Sequence, residues 1–182
     1  MTRPRITPGT ARQLGPVGWA ISRGAGLIAR TRPPQLLVTL GRHRRLFLGW
    51  LVFATRLMPR GLLPRRETEL VILRTAHLRG CRYEFDHHVE LGRRAGLGPG
   101  DVARVVAGPD AAGWSQRERA MLRTVDALHQ RGDLGDEEWS SLSVHLDERE
   151  AIELCMLIGH YQMLATTIAA LRIQPDMAAA RA

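Results

Sequence analysis

Near its end the chain carries "IELCMLIGHYQMLATTIAAL", residues 152–171, whose strongly polar members are Glu153, His160 and Gln162, with Tyr161 amphipathic. Just upstream, "DERE" offers Asp147 as an N-cap with Glu150 three residues on, so the spacing predicts a helix from Glu148 to Ala170. Such a helix is apolar almost all round and does not suit a surface with one wet face. It either crosses a membrane or forms the centre of a bundle, and the polar interruptions favour the bundle. Aromatic residues are only 5% of the chain, and turn signals are sparse after residue 60, which argues against a sandwich or barrel. The expected fold class is all-α.

Earlier segments follow the same period. Helices are predicted over Gln35–Leu40, Arg44–Leu57 and Arg66–Leu78, with Gly80 breaking the last of these. The next runs from Arg82 to Ala95, where Arg93 and Arg94 fill the last turn, Gly96 takes the left-handed position and Leu97 supplies the apolar contact. Asp101–Ala107 follows, then an amphipathic helix opened by the Ser115/Glu118 capping box, then Asp136–Leu146. At 182 residues the chain is long enough for one substantial core. Residues 1–33, rich in Arg, Pro and Gly, are expected to form an N-terminal arm with at most a short helix around Val17–Ala29. Residues 34–175 form the helical domain of this reading, and 176–182 a tail.

All 26 basic residues are arginine. Residues 1–66 hold 13 of them and no acid, whereas residues 67–182 hold 13 arginines and 18 acids. That asymmetry suits a basic arm for nucleic acid or an anionic membrane, a surface that docks on the acidic part of a neighbouring copy, or a solvated basic face. No aromatic-interleaved basic run, recognition helix or zinc finger is present, so nucleic acid is not the expected partner. The apolar run "LFLGWLVFAT", Leu46–Thr55, falls short of the ~20 residues of a membrane span, and no span is expected. Two distant cysteines, Cys81 and Cys155, and the lack of a secretory leader pattern make a reducing cytoplasm the expected setting.

Within this frame "CRYEFDHH" gathers most of the chemistry. Cys81, Glu84 and His88 are spaced by three and four residues and share one helical face. A reversal at Gly80 would bring Glu69 of the preceding helix beside them, and carboxylates next to an imidazole form a proton-handling group. Each has a plainer use: Cys81 as a small buried hydrophobe, Glu84 as a first-turn acid that stabilises free N–H groups. His87 and His88 point about 100° apart on a helix, so one of them is structural. Glu84 and His87 also spell E-x-x-H, half of a di-iron motif, but the best second pair, Asp126 and His129, has the wrong acid. No zinc signature is present, and neither a metal nor another cofactor is expected.

The run "LPRRETELVILRTAHLRGCRYEFDHHVELGRRAGLGPGDV", Leu63–Val102, resembles the carboxymuconolactone decarboxylase family, which includes the alkylhydroperoxidase AhpD-like proteins. The likeness extends more weakly through "ERAMLRTVDALH" and "LIGHYQMLATTIAALRI". It implies an AhpD-like helical bundle with a central helical hairpin, preceded here by an N-terminal extension, and a homo-oligomer, a trimer or hexamer with a dimer as the lesser form. AhpD-like members have a glutamate, a C-x-x-C pair twelve residues on, and a histidine four residues after the second cysteine. Glu69, Cys81 and His88 match, but Glu84 stands in place of the second thiol, and thiol–disulfide exchange needs a resolving sulfur.

The decarboxylase branch works without redox thiols. By that resemblance the expected activity is cofactor-free acid/base chemistry on a small organic acid, lactone or related carbonyl compound, as a lyase. The catalytic candidates are Glu69, Cys81, Glu84 and His88, with His88 donating or accepting protons and Glu69 orienting it. Arg74 or Arg82 would receive a substrate carboxylate, with Tyr83, His87, His160 and Tyr161 as further lining candidates. The alternatives are a peroxidase-type thiol activity through Cys81 and a non-catalytic oligomeric binding protein.

Overall fold

The computed structural model describes residues 3–29 and 31–176. Its helices are α1 (Ala11–Ala29), α2 (Gln35–Leu40), α3 (Arg44–Leu57), α4 (Arg65–Leu78), α5 (Arg82–Arg94), α6 (Pro99–Ala107), α7 (Gln116–Gln130), α8 (Asp136–Ser143) and α9 (Glu148–Leu171). The all-α expectation holds. The helices fall into two compact units, one built from the chain before Arg56 with the segment after Thr166, the other from residues 56–166. The boundary near residue 33 that the sequence suggests falls inside the first of these units.

In the first unit the described residues before Pro33 include a helix packed near α2. In α1, Gly15 has φ 73°, a conformation that breaks the helix, and Pro16 restarts it with φ preset and no N–H to satisfy. Leu14 is buried, and a Cβ on Gly9 or Gly41 would lie 2.4 or 2.8 Å from its side chain. The glycines that read as loop residues are what let these segments approach. Gly9 N–H donates to Val38 O at 2.9 Å, fixing the start of the chain to α2.

In the second unit α4 occupies the centre, with nine consecutive buried residues from Thr68 to Ala76. Leu70 and Leu73 join Leu97, Val105, Trp114 and Leu122 in one core cluster, with Phe85 and Val89 of α5 against it. Here the expectation for the last helix is corrected. Leu154, Leu157, Ile158, Tyr161 and Leu164 of α9 are buried, but Ile152, Met156 and Met163 are 65, 48 and 48% exposed. Although α9 is long and apolar enough to cross a membrane by length and composition, it is α4, with its polar residues, that is enclosed. Hydropathy missed this because α4 buries Glu69 and Arg74 with partners, and a paired polar group can be buried.

Arginine-centred clasps hold the unit together. Arg66 donates to Asp101 at 2.8 Å and Glu118 at 3.1 Å, joining α4, α6 and α7. Arg117 of α7 meets Glu67 of α4 at 3.0 Å and Glu150 of α9 at 2.8 Å. The predicted stop of α5 is present: Gly96 has φ 87°, Leu97 N–H donates to Gly92 O at 2.9 Å, and Leu97 is buried. The Ser115/Glu118 capping box opens α7.

Candidate active site

Gly80, at φ 61°, turns the chain between α4 and α5, and Cys81 N–H closes the turn on Ala76 O at 2.9 Å. The resulting antiparallel pair presses Glu69 of α4 against the inner face of α5. His88 Nδ1 lies 2.7 Å from Glu69 Oε2, and His88 Nε2 lies 3.3 Å from Glu84 Oε2, one turn earlier on the same helix. All three are enclosed, with exposures of 0% for Glu69, 4% for Glu84 and 3% for His88. Arg65, the first residue of α4, reaches Glu69 Oε1 at 2.5 Å. Arg65 was not among the sequence candidates, although Arg-x-x-x-Glu in "RRETE" is the i, i+4 spacing that pairs such side chains.

Tyr161 of α9 caps the imidazole edge-on, with ring centroids 5.0 Å apart, and His160 lies 5.2 Å from Tyr161. Cys81 is buried at the N-cap of α5, one turn before Glu84. Tyr83 and His87 are half-buried on α5, and the His87 ring lies 5.7 Å from His88. The two arginines expected to receive a carboxylate are placed elsewhere. Arg74 is bound to Asp126 by two hydrogen bonds of 2.7 Å and to Val105 O and Val106 O at 2.8 and 3.1 Å. Arg82 is an exposed surface residue paired with Asp86 at 3.2 Å. Asp126, half of the Asp126/His129 pair, is thereby engaged, and no cluster of three His, Cys, Asp or Glu side chains placed to hold a metal occurs among the described residues.

The electrostatics follow from burial and partners. Burial alone would push the His88 imidazolium pKa down, but the hydrogen bonds and charges of Glu69 and Glu84 outweigh it and raise it to about 9. Burial lowers His160 to about 4, opposed by the charge of Glu84. Tyr161 is held neutral, first by burial and then by the two carboxylates. Burial also raises the Cys81 thiol; the N–H groups of Glu84 and Tyr83 favour thiolate and the charge of Glu84 opposes it. At neutral pH the site therefore holds a charged imidazolium between Glu69 and Glu84, beside a protonated thiol and a neutral phenol.

Stability should carry this signature. A histidine whose folded pKa is raised contributes fully below its unfolded value, near 6.5, and its contribution is lost as pH rises through about 9. For His88 that loss is on the order of 3 kcal/mol. His160 has the opposite sign: its contribution is present above 6.5 and is lost as pH falls through about 4. Denaturant midpoints measured from pH 4 to 10 should peak near neutrality, and His88→Gln should flatten the alkaline limb. An unchanged alkaline limb in that variant would mean that His88 does not carry the effect.

Residues 45–127 match the sequence model of the carboxymuconolactone decarboxylase family. The fold is similar to that of a peroxidase-related protein from Ralstonia eutropha JMP134 with an alkylhydroperoxidase AhpD core, at TM-score 0.84 and 17% identity over 96% of this chain and 93% of that one. It is also similar to the debrominase Bmp8, at TM-score 0.79 and 20% identity over 93% and 91% of the two chains. A third similar structure, a peroxidase-related protein from Silicibacter sp. TM1040, gives TM-score 0.80 at 16% identity over 96% and 95%. No curated protein matches the sequence.

Proposed function

We propose that this chain, whose residues 45–127 match the carboxymuconolactone decarboxylase family, performs cofactor-free acid/base chemistry on a small organic acid, lactone or related carbonyl compound. The observation that carries the reading is the enclosed array Glu69, His88 and Glu84, with both imidazole nitrogens facing carboxylate oxygens. Exclusion of water strengthens each electrostatic interaction in such a site. Lactones and keto acids are the substrates to screen, with turnover measured for the native chain and for Glu69→Gln and Glu84→Gln. Native turnover retained in both variants would remove the array from the chemistry.

A thiol reading competes, because Cys81 lies beside N–H groups at the start of α5 and two of the similar folds are described as peroxidase-related. The raised thiol pKa and the carboxylate of Glu84 one turn away weigh against it. Cys81→Ser is expected to leave acid/base turnover within a few-fold of native. Peroxide consumption that vanishes in that variant would establish the thiol activity instead.

Assembly into a homo-oligomer belongs to the same proposal. The outward Ile152, Met156 and Met163 of α9 support it, since an apolar stripe of this kind gains by being covered. Light scattering should give a mass that is a multiple of 20.3 kDa. A mass of one chain across the micromolar range would exclude assembly.

A further inference from the structure

A carboxylate oxygen accepts hydrogen bonds and cannot donate them when ionised, so a ring nitrogen facing one must be the donor. His88 faces carboxylate oxygens with both nitrogens, at 2.7 and 3.3 Å. An imidazole that donates from both nitrogens is the imidazolium ion and has no lone pair with which to take another proton. Glu84 differs: Oε2 faces His88, whereas Oε1 is buried and no described group donates to it. Arg65 mirrors this with opposite charge, because Nη2 is engaged by Glu69 Oε1 while Nη1 is buried without an acceptor.

The other titratable groups around Glu84 do not offer a better base. Tyr161 on α9 is a neutral phenol, His160 on α9 is a weak base, and Cys81 on α5 is a protonated thiol; Glu69 on α4 meets a cation with each oxygen, Arg65 at 2.5 Å and His88 at 2.7 Å. Unpaired buried polar atoms cost free energy, and here Glu69 Oε1, Glu84 Oε1 and Arg65 Nη1 are buried without a hydrogen-bond partner; Glu69 Oε1 is in ion contact with Arg65 Nη2 at 2.5 Å, which leaves Glu84 Oε1 as the acceptor among them. We propose that Glu84 Oε1 is the proton acceptor of this site and Arg65 Nη1 its anion-docking group, the ligand being a small carboxylate with an acidic C–H next to a carbonyl.

The proposal rests on the acid/base reading above and divides its labour: His88 supplies the cation between Glu69 and Glu84, and Glu84 moves the proton. The ligand's C–H bond breaks and its proton passes to Glu84 Oε1, which becomes the neutral acid. The electron pair of that bond forms the C=C of an enolate as the carbonyl π pair moves to oxygen. Return of the proton from Glu84 restores the carbonyl compound and the carboxylate, and nothing is oxidised or reduced.

Two measurements on the full chain test it. In ¹⁵N-histidine-labelled protein at pH 7, with His88→Gln used to assign the signal, both His88 nitrogens should resonate as protonated. In D₂O the native chain should catalyse deuterium incorporation next to the carbonyl of 4-oxopentanoate, detected by ¹H NMR. Glu84→Gln should lower that rate at least about 100-fold, and Arg65→Met should raise the half-saturating concentration about tenfold. A bare nitrogen on His88 in the native chain would overturn Glu84 as the base while leaving His88-centred acid/base chemistry standing. No exchange by the native chain would overturn the ligand class. Exchange that survives both Glu84→Gln and His88→Gln would sink this inference and the acid/base reading together.

Discussion

Replacing Arg74 with alanine should destabilise the unit of residues 56–166 by about 3–5 kcal/mol, the range for removing one partner of a buried ion pair. Arg74 and Asp126 join α4 to α7 through two hydrogen bonds of 2.7 Å, with side-chain exposures of 8 and 19%. Alanine would leave Asp126 facing the protein without its cation. It would also strip Val105 O and Val106 O, near the end of α6, of the donor that satisfies them. A typical domain has only about 5–15 kcal/mol of net stability, so the variant should unfold at markedly lower denaturant concentration. The double change Arg74→Met with Asp126→Leu should recover much of the loss, since apolar residues of similar volume can replace a buried pair. A loss below about 1 kcal/mol in Arg74→Ala would show that the pair is not a principal contact.

His88→Ala should have the largest effect on turnover, about 10²–10⁴-fold, the usual range when the site's acid/base chemistry is lost. That loss corresponds to about 3–5 kcal/mol in the barrier. It has two physical sources: the imidazolium that contacts Glu69 and Glu84 is removed, and two enclosed carboxylates are left facing one another. The second source also costs stability, so turnover has to be read alongside a melting curve. His88→Gln, which keeps a hydrogen-bond donor, should regain stability more than turnover. A His88→Ala protein that remains folded and retains native turnover would refute the role of the array.

Much of the local structure was legible because helices announce themselves locally. Gly96 and Leu97 at the end of α5, Ser115 and Glu118 at the start of α7, and the break at Gly80 act through neighbours a few residues away. The spacing of Cys81, Glu84 and His88 likewise follows from 3.6 residues per turn. Residues 11–29 were harder, because the glycines and proline that usually mark loops here serve a kink and close helix contact. The identity of the enclosed helix was missed for a related reason: α9 is the more apolar sequence, but α4 has partners for its polar groups.

The sequence by itself determined which side chains share a helical face, since that depends only on helical periodicity. It also suggested that Glu69 could be brought near His88. Only the tertiary structure decided that Nδ1 and Nε2 of His88 meet carboxylates on two different helices, that Arg65 joins them, and that Arg74 is committed to Asp126 instead. Those pairings depend on how α4 lies against α5 and α7. The protonation state of His88 depends on them in turn, because an imidazole's charge is set by the groups its nitrogens face and by the solvent excluded around them.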